Sequence, residues 1–229
     1  MKTYALKEGY QTNRVLNERA TEYKDDEHNS ASFQVNVYKY ARKIIVQNGI
    51  SKALDIGCGF GMKLKKFISP VCKDIVGIDR EHAIDYCKSE HGFGRWLIDD
   101  IENPNRKLSE QFELIIVSDV IEHLDKPDKL FEYVIPYCNA DTQIIFSTPE
   151  RDRMRGKNHF GPPPNAQHVR EWNYSEFKEY MQSMDANIIK HFLVGEQRSF
   201  INIFKKWLHL ESIKNGQVVH FRLKKSELT

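Results

Sequence analysis

The sequence predicts a single α/β domain built on a mostly parallel β-sheet with helices on both faces. Three observations carry that expectation. Short, nearly continuous apolar runs recur at regular intervals, Ala53 to Ile56, Ile75 to Ile78, Trp96 to Ile98 and Leu114 to Val117, with a fifth at Ile144 to Phe146. Helix-compatible stretches lie between them, at Met62 to Ile68, Glu81 to Glu90 and Lys129 to Tyr137. The runs do not alternate polar with apolar, so both faces of their sheet must be covered, as in parallel strands joined by crossover helices. Third, 229 residues, 40% of them hydrophobic, suffice to bury such a sheet in one domain without disulfides.

From the N-terminus, the first thirty residues are polar and charged, end in Asp25-Asp26-Glu27-His28-Asn29-Ser30, and read as a lid, a short helix or a frayed arm. From Phe33, the apolar positions Val37, Tyr40, Ala41, Ile44 and Ile45 recur at helical spacing until Asn48-Gly49 closes the pattern as a C-cap would. Each of the five strand runs then ends in Gly, Asp or Ser, and Pro136 falls at or just beyond the last turn of its helix. Residues 149–172 differ. They hold Pro149, Pro162, Pro163 and Pro164, a basic cluster of Arg151, Arg153, Arg155 and Lys157, and little apolar content. Loops of this length in compact domains are usually functional. A helix from Tyr174 to Met184 and a strand from Ile188 to Val194 follow; beyond a Lys205-Lys206-Trp207-Leu208 stretch, Val218 to Phe221 reads as the antiparallel partner of that strand.

Composition excludes several classes. With 34 Lys+Arg against 32 Asp+Glu the net charge is +2, which gives no basic field for sequence-blind nucleic-acid binding, while small acidic ligands remain open. Cys58, Cys72, Cys87 and Cys138 contain no C-x-x-C pair, against a zinc ribbon or secreted disulfide framework. The first residues lack a signal-peptide core and no apolar run approaches bilayer length, so no membrane span and a cytoplasmic location are expected.

The most informative segment is Leu54-Asp55-Ile56-Gly57-Cys58-Gly59-Phe60-Gly61. A buried strand runs into glycines at alternate positions and then into a helix, so the backbone turns sharply and can present its amides to a flat or charged ligand. A dinucleotide fingerprint would set the third glycine one place later, which disfavours NAD. Asp79 closes the second strand beside this turn, where a carboxylate can accept from both hydroxyls of a ribose. Asp55-x-Gly57-x-Gly59-x-Gly61, then Asp79, then Asp99-Asp100-Ile101, then Phe112 to Leu124 with its Ser118-Asp119-Val120-Ile121-Glu122-His123 core, resembles the class I S-adenosylmethionine-dependent methyltransferases in order across residues 50–150.

That resemblance implies a Rossmann-like seven-stranded sheet with an antiparallel last strand. Together with the composition shifts along the chain, it divides the domain into an arm or lid (1–32), a cofactor-binding core (33–148), a substrate loop (149–172) and a C-terminal helix and strand pair (173–229). It further implies that Gly57, Cys58 and Gly59 offer backbone to the methionine part of S-adenosylmethionine, with Asp55 oriented toward its amino group. Asp79 would take the ribose diol, Arg80 would cover an adenine face, Asp100 with the Ile101 amide would read the adenine edge, and carbonyls near Ser118 would floor the sulfonium site. Between Asp99 and Asp100, the pattern of an acid before an apolar residue favours Asp100.

Methyl transfer from a sulfonium is an in-line displacement, so alignment of the acceptor and exclusion of water are the protein's main tasks, and an oxygen acceptor must also lose a proton. Asp119, Glu122 and His123 end strand four at the carboxyl edge of the sheet, where ligands of open α/β folds sit. The bland reading has Asp119 capping a helix and the others hydrogen-bonding in the cleft, with His123 available as general base. If strands four and five are neighbours, the loop after strand five carries His168 toward them. An acid-x-x-Glu-His with His168 in a His-x-x-Glu-Trp setting is similar to the small-RNA 3′-terminal 2′-O-methyltransferases, in which two carboxylates and two imidazoles hold a divalent ion. Asp119, Glu122, His123 and His168 would then hold Mg²⁺ or Mn²⁺, with Glu122, His123 and His168 catalytic; Asp119 departs from that family's longer Glu.

The Pro-rich loop also resembles bacterial methyltransferases of the surface-polysaccharide type. The expected function is O-methylation of a small hydroxylated acceptor such as a sugar, nucleotide-sugar or sugar phosphate. Alternatives are ribose 2′-O-methylation of RNA, which the charge balance does not favour, and a non-catalytic cofactor-binding subunit. The other histidines read as structural or exposed, except that His159, beside Phe160, can touch substrate. The arginine cluster reads as a solvated face with an option on a substrate phosphate or carboxylate.

Overall fold

The computed structural model describes residues 3–13, 34–105, 108–195 and 215–224. The Asp25–Ser30 run, the start of the first helix at Phe33, and the Lys205–Leu208 stretch lie outside these.

Every predicted strand forms, and each apolar run extends by one to four residues. They are β1 (Lys52–Ile56), β2 (Asp74–Asp79), β3 (Arg95–Ile98), β4 (Leu114–Ser118), β5 (Gln143–Pro149), β6 (Ala186–Val194) and β7 (Gly216–Leu223). They make one seven-stranded sheet in the order β3-β2-β1-β4-β5-β7-β6. The first five strands pair in parallel, and β7 inserts antiparallel between β5 and β6. This is the mostly parallel sheet with an antiparallel last strand that the sequence led us to expect.

Side chains alternate across a strand, and here both sides are buried. Ile115 and Val117 belong to one core cluster, Leu114 and Ile116 to the other. The helices α1 (Val35–Asn48), α2 (Glu81–Glu90), α3 (Asp128–Val134) and α5 (Tyr174–Ser183) supply the apolar cover. Gly49 ends α1 in the left-handed conformation (φ 64°) and donates its N–H to the Ile45 carbonyl, as Asn48-Gly49 suggested. Two helical stretches deviate. Leu64–Ile68 winds as a π-turn, and Pro136 lies in a 3₁₀ turn, Ile135–Tyr137, because it cannot continue the ladder of α3.

Residues 149–172 are not a bare loop. Glu150 caps a one-turn helix, α4 (Arg151–Arg155), by accepting from the Arg153 N–H, and a bridge between Glu150 and Trp172 closes the segment at its ends. The residues 3–13 that could have been a frayed arm are docked against it. Gln11 N–H donates to the Phe160 carbonyl (2.7 Å), Asn13 N–H to that of Val169 (2.9 Å), and the Trp172 indole to that of Tyr4 (2.9 Å). Among the described residues no helix is long and apolar enough to cross a membrane. The four cysteines are buried thiols.

Candidate active site at the carboxyl edge of the sheet

Sheet order reverses between β1 and β4, and the crevice at such a switch point, outside the carboxyl ends of the strands, is where open α/β sheets bind ligands. The glycine turn follows β1 there. Gly57, Gly59 and Gly61 all have positive φ (77°, 54° and 67°), which glycine alone adopts without strain. Gly57 and Cys58 donate their N–H groups to the Ile78 carbonyl (2.8 and 3.2 Å), and Gly59 donates to Asp79 Oδ2 (2.7 Å). Some of the room the glycines leave is taken by the protein itself. A Cβ on Gly57 would stand 2.3 Å from Val120 Cγ2, and one on Gly61 would stand 2.8 Å from Trp96 Cη2.

Asp79 closes the turn with both oxygens, since Oδ1 accepts the Arg80 N–H (2.7 Å). Burial raises its carboxyl above the usual range while the N–H groups of Arg80 and Gly59 oppose that rise. Arg80 is exposed. Asp55 is fully buried; its Oδ2 accepts from the Tyr38 hydroxyl (2.8 Å), while Oδ1 has no hydrogen-bond partner among the described residues. Burial pushes this carboxyl up to about 7, against the hydrogen bond from Tyr38 and the Lys63 charge, with Asp79 adding to the rise.

Of the two acids after β3, Asp99 is consumed by structure: it accepts from the Tyr133 hydroxyl (2.7 Å) and from the N–H groups of Asp100 (3.0 Å) and Asn105 (2.8 Å). Asp100 is half-buried, accepts from the Glu102 N–H (2.9 Å), and precedes the half-buried Ile101. Ser118 is buried, its hydroxyl 2.9 Å from that of Ser147 on β5.

β4 and β5 are parallel neighbours, so the segment after β5 returns beside Ile121–His123, a 3₁₀ turn. Val169 donates its N–H to the Glu122 carbonyl (2.8 Å), and His123 Nδ1 donates to the Gln167 carbonyl (2.9 Å). One donor atom from each of Glu122, His123 and His168 lies within 4.8 Å of the others. The two imidazoles stand edge to face, 4.8 Å between centroids. Glu122 is fully buried; Oε2 accepts from the Thr148 hydroxyl (3.1 Å), and Oε1 has no hydrogen-bond partner among the described residues. Burial, then the Asp119 charge, pushes the Glu122 carboxyl well above the carboxylate range, and burial, then His168, lowers His123 to about 4.

Asp119 does not join this trio. It adopts a left-handed conformation (φ 53°) before the 3₁₀ turn begins, and its carboxylate accepts from the Ser147 hydroxyl (2.7 Å) and the Gln34 amide (2.9 Å). Asp119 therefore caps no helix.

The basic cluster corrects the sequence reading as well. Arg151 is fully buried in a two-pronged pair with Glu176 (2.7 and 2.8 Å), and Arg155 grips the buried Glu171 (3.1 and 3.2 Å). Neither is a solvated or substrate-facing cation, because two buried carboxylates need them; only Arg153 and Lys157 stay exposed. Glu171 Oε1 also accepts from His168 Nδ1 (2.8 Å). Burial alone would raise Glu171, but the hydrogen bonds and charges of His168 and Arg155 outweigh it and hold it at about 2. His159 accepts the Gly161 N–H through Nδ1 (3.2 Å), so one of its ring nitrogens is committed to the loop. Tyr38, Gln34 and Thr148 escaped the sequence reading because each acts through a polar atom whose partner is remote in the chain; Glu171 stood in the His-x-x-Glu-Trp setting, three residues from the imidazole it orients.

The family model described as "Methyltransferase domain" matches residues 17–191. No curated protein sequence matches. Among solved structures, an S-adenosylmethionine-dependent methyltransferase from Clostridium acetobutylicum superposes with TM-score 0.60 at 15% identity, over 84% of this chain and 93% of that one. The plantazolicin methyltransferase BpumL in complex with SAH gives TM-score 0.61 at 18% identity, over 83% of each chain. The methyltransferase domain of bacterial CtHen1 gives 0.57 at 18%, over 83% of this chain and 99% of that one. Since the matched segment covers well over half of the 229 residues and lies on this sheet order, the chain belongs to the methyltransferase domain family and has the fold of class I S-adenosylmethionine-dependent methyltransferases.

Proposed function

We propose that the protein transfers a methyl group from S-adenosylmethionine to an oxygen of a small hydroxylated acceptor, a sugar, nucleotide-sugar or sugar phosphate, beside Glu122, His123 and His168. The observation that carries this reading is the gathering of these three donors within 4.8 Å, with one buried oxygen of Glu122 left without a hydrogen-bond partner among the described residues.

The chain's residues fit the methyl donor. Asp55 Oδ1, a buried acceptor without a described partner, suits the donor's ammonium; Asp79 at the glycine turn suits its ribose; Asp100 and Ile101 suit the adenine edge, with Arg80 at an adenine face and the backbone of Gly57, Cys58, Gly59 and Ser118 around the methionine part. The donor supplies an electrophilic methyl on a sulfonium.

What the chain must add is alignment and a place for the acceptor's proton. In both imidazoles Nδ1 faces an acceptor-only group, the Gln167 carbonyl for His123 and the ionised Glu171 for His168. Each Nδ1 therefore carries the ring proton in the neutral form, and each Nε2 carries the lone pair. His168, oriented by Glu171, is suited to draw the proton from an acceptor hydroxyl. Two imidazole nitrogens and one carboxylate also fit Mg²⁺ or Mn²⁺, which would lower that hydroxyl's pKa; the holders would be Glu122, His123 and His168, without Asp119. A non-catalytic subunit has no need of such a cluster.

The test is turnover of S-adenosylmethionine with a panel of nucleotide-sugars, sugar phosphates and short RNAs, with and without chelator. Turnover should fall with chelator and return with Mn²⁺. His168→Ala should abolish turnover while leaving affinity for S-adenosylhomocysteine near wild type. Activity indifferent to chelator would remove the metal, transfer confined to amines would remove the oxygen acceptor, and preference for RNA would replace the small acceptor.

A further inference from the structure

The residues assigned to the donor leave one buried side chain unexplained. Tyr38 sits within α1 at 0% exposure and spends its only polar atom on Asp55 Oδ2. A wholly apolar residue would pack there without needing a partner, so the hydroxyl needs a reason. Burial, then the charge of Asp55 and the hydrogen bond to it, raises this phenol well above its ordinary range, so it stays protonated and always donates. A carboxylate held at one oxygen cannot swing freely, and its second oxygen is presented in one direction. In Asp55 that second oxygen, Oδ1, is the buried acceptor without a described partner.

We propose that Tyr38 is a positioning residue for the α-ammonium group of the methyl donor: by holding Asp55 Oδ2 it leaves Oδ1 as the fixed acceptor for that ammonium. The inference rests on the donor lying over the glycine turn, as set out above. A cation is the partner this oxygen selects, because a neutral donor would satisfy its hydrogen bond but not offset the charge that burial penalises.

The groups that face Asp55 are few. They are Tyr38 from α1, Lys63 from the helical stretch after the glycine turn, and Asp79 from β2; Cys58 of the turn and Asp119 beyond β4 act at one remove, on Tyr38. Tyr38 and Lys63 favour the ionised carboxyl and Asp79 opposes it. With the carboxyl titrating at about 7, donor affinity should rise as pH rises through that value and the carboxylate forms. Loss of the ligand's own ammonium proton sets an upper limb that owes nothing to the protein; it falls above the value of about pH 8 for a chain-terminal α-amino group, because the free amino acid's carboxylate stabilises the ammonium. Tyr38→Phe removes a hydrogen bond to the charged form, so the lower limb should move upward.

The experiment is calorimetric titration of the full chain with S-adenosylhomocysteine and with methylthioadenosine, which lacks the amino-acid part, at pH 6.5 and 8.5. Tyr38→Phe should weaken S-adenosylhomocysteine about tenfold at pH 6.5, the scale of one hydrogen bond to a charged group, and by a smaller but measurable factor at pH 8.5, where the carboxylate is already formed and only its direction is lost. Methylthioadenosine should bind wild type and variant alike at both values. Equal losses at both pH values and for both ligands would make Tyr38 a packing residue only and overturn the proposal, as would no loss at all. Wild type alone decides the Asp55 half: affinity for S-adenosylhomocysteine must rise toward pH 7.5 while that for methylthioadenosine stays flat. Binding of neither ligand by wild type would instead remove the donor site itself.

Discussion

Replacing Asp55 with Asn should make the ligand-free protein more stable above neutral pH while it destroys donor binding. The carboxyl, ordinarily at 3.8, is pushed up to about 7 in the folded chain. The sign follows from which state gives up its proton first. As pH rises from about 4, the unfolded chain ionises while the folded chain still holds the proton, so folding loses stability until both are ionised above about pH 7. A difference of about 3 in pKa corresponds to roughly 4 kcal/mol, at about 1.4 kcal/mol for each. Asn carries no charge at any pH, so subtracting its unfolding free energy from that of wild type leaves the titration of this group together with its coupling to Asp79. Urea unfolding of the ligand-free chain should give a gap between variant and wild type that widens by more than about 2 kcal/mol from pH 5 to pH 8, leaving a wide margin below the full figure. Saturating S-adenosylhomocysteine should narrow or reverse the gap, because only wild type binds it. A gap of the same size at both pH values would refute the buried, strained carboxylate and the role built on it.

Asp79→Ala should weaken donor binding by about 1.5 to 3 kcal/mol in calorimetry, the range for hydrogen bonds to a charged group; an unchanged dissociation constant would contradict its place beside the ribose. Arg151→Ala leaves Glu176 a buried charge with backbone N–H groups but no cation beside it and should lower unfolding free energy by about 3 kcal/mol, whereas the pair Arg151→Met with Glu176→Leu should recover part of it. Gly57→Ala drives a Cβ to 2.3 Å from Val120 Cγ2 at a φ of 77°; thermal unfolding should show a large loss, and Val120→Ala should restore only the steric share of it. Full recovery there would mean that backbone conformation is not limiting.

Much of the architecture was legible because its signals are local. The β4 run Leu114 to Val117 reads as a fully buried strand wherever it sits, and Asn48-Gly49 ends a helix through a backbone conformation that Gly adopts without strain. The glycine spacing and Asp79 were legible for the same reason. Arg151 and Arg155 were misread because a charge's environment is not a local property: in sequence they are members of a basic run, and in the fold each answers a carboxylate some twenty residues away. Capping of α5 by Asn173 with Glu176 was a local signal, but the second use of Glu176, on Arg151, was not.

Periodicity, glycine spacing and chain order exist in the unfolded chain, and they suffice for the succession of strands and helices, the glycine turn and the residue types at the carboxyl edge. Folding alone brings His168 to Glu122 and His123, turns Asp119 away to Ser147 and Gln34, and sets Tyr38 on Asp55. Those contacts join segments that the chain brings together only by pairing β4 with β5 and packing α1 on the sheet, so their directions exist in the folded state alone.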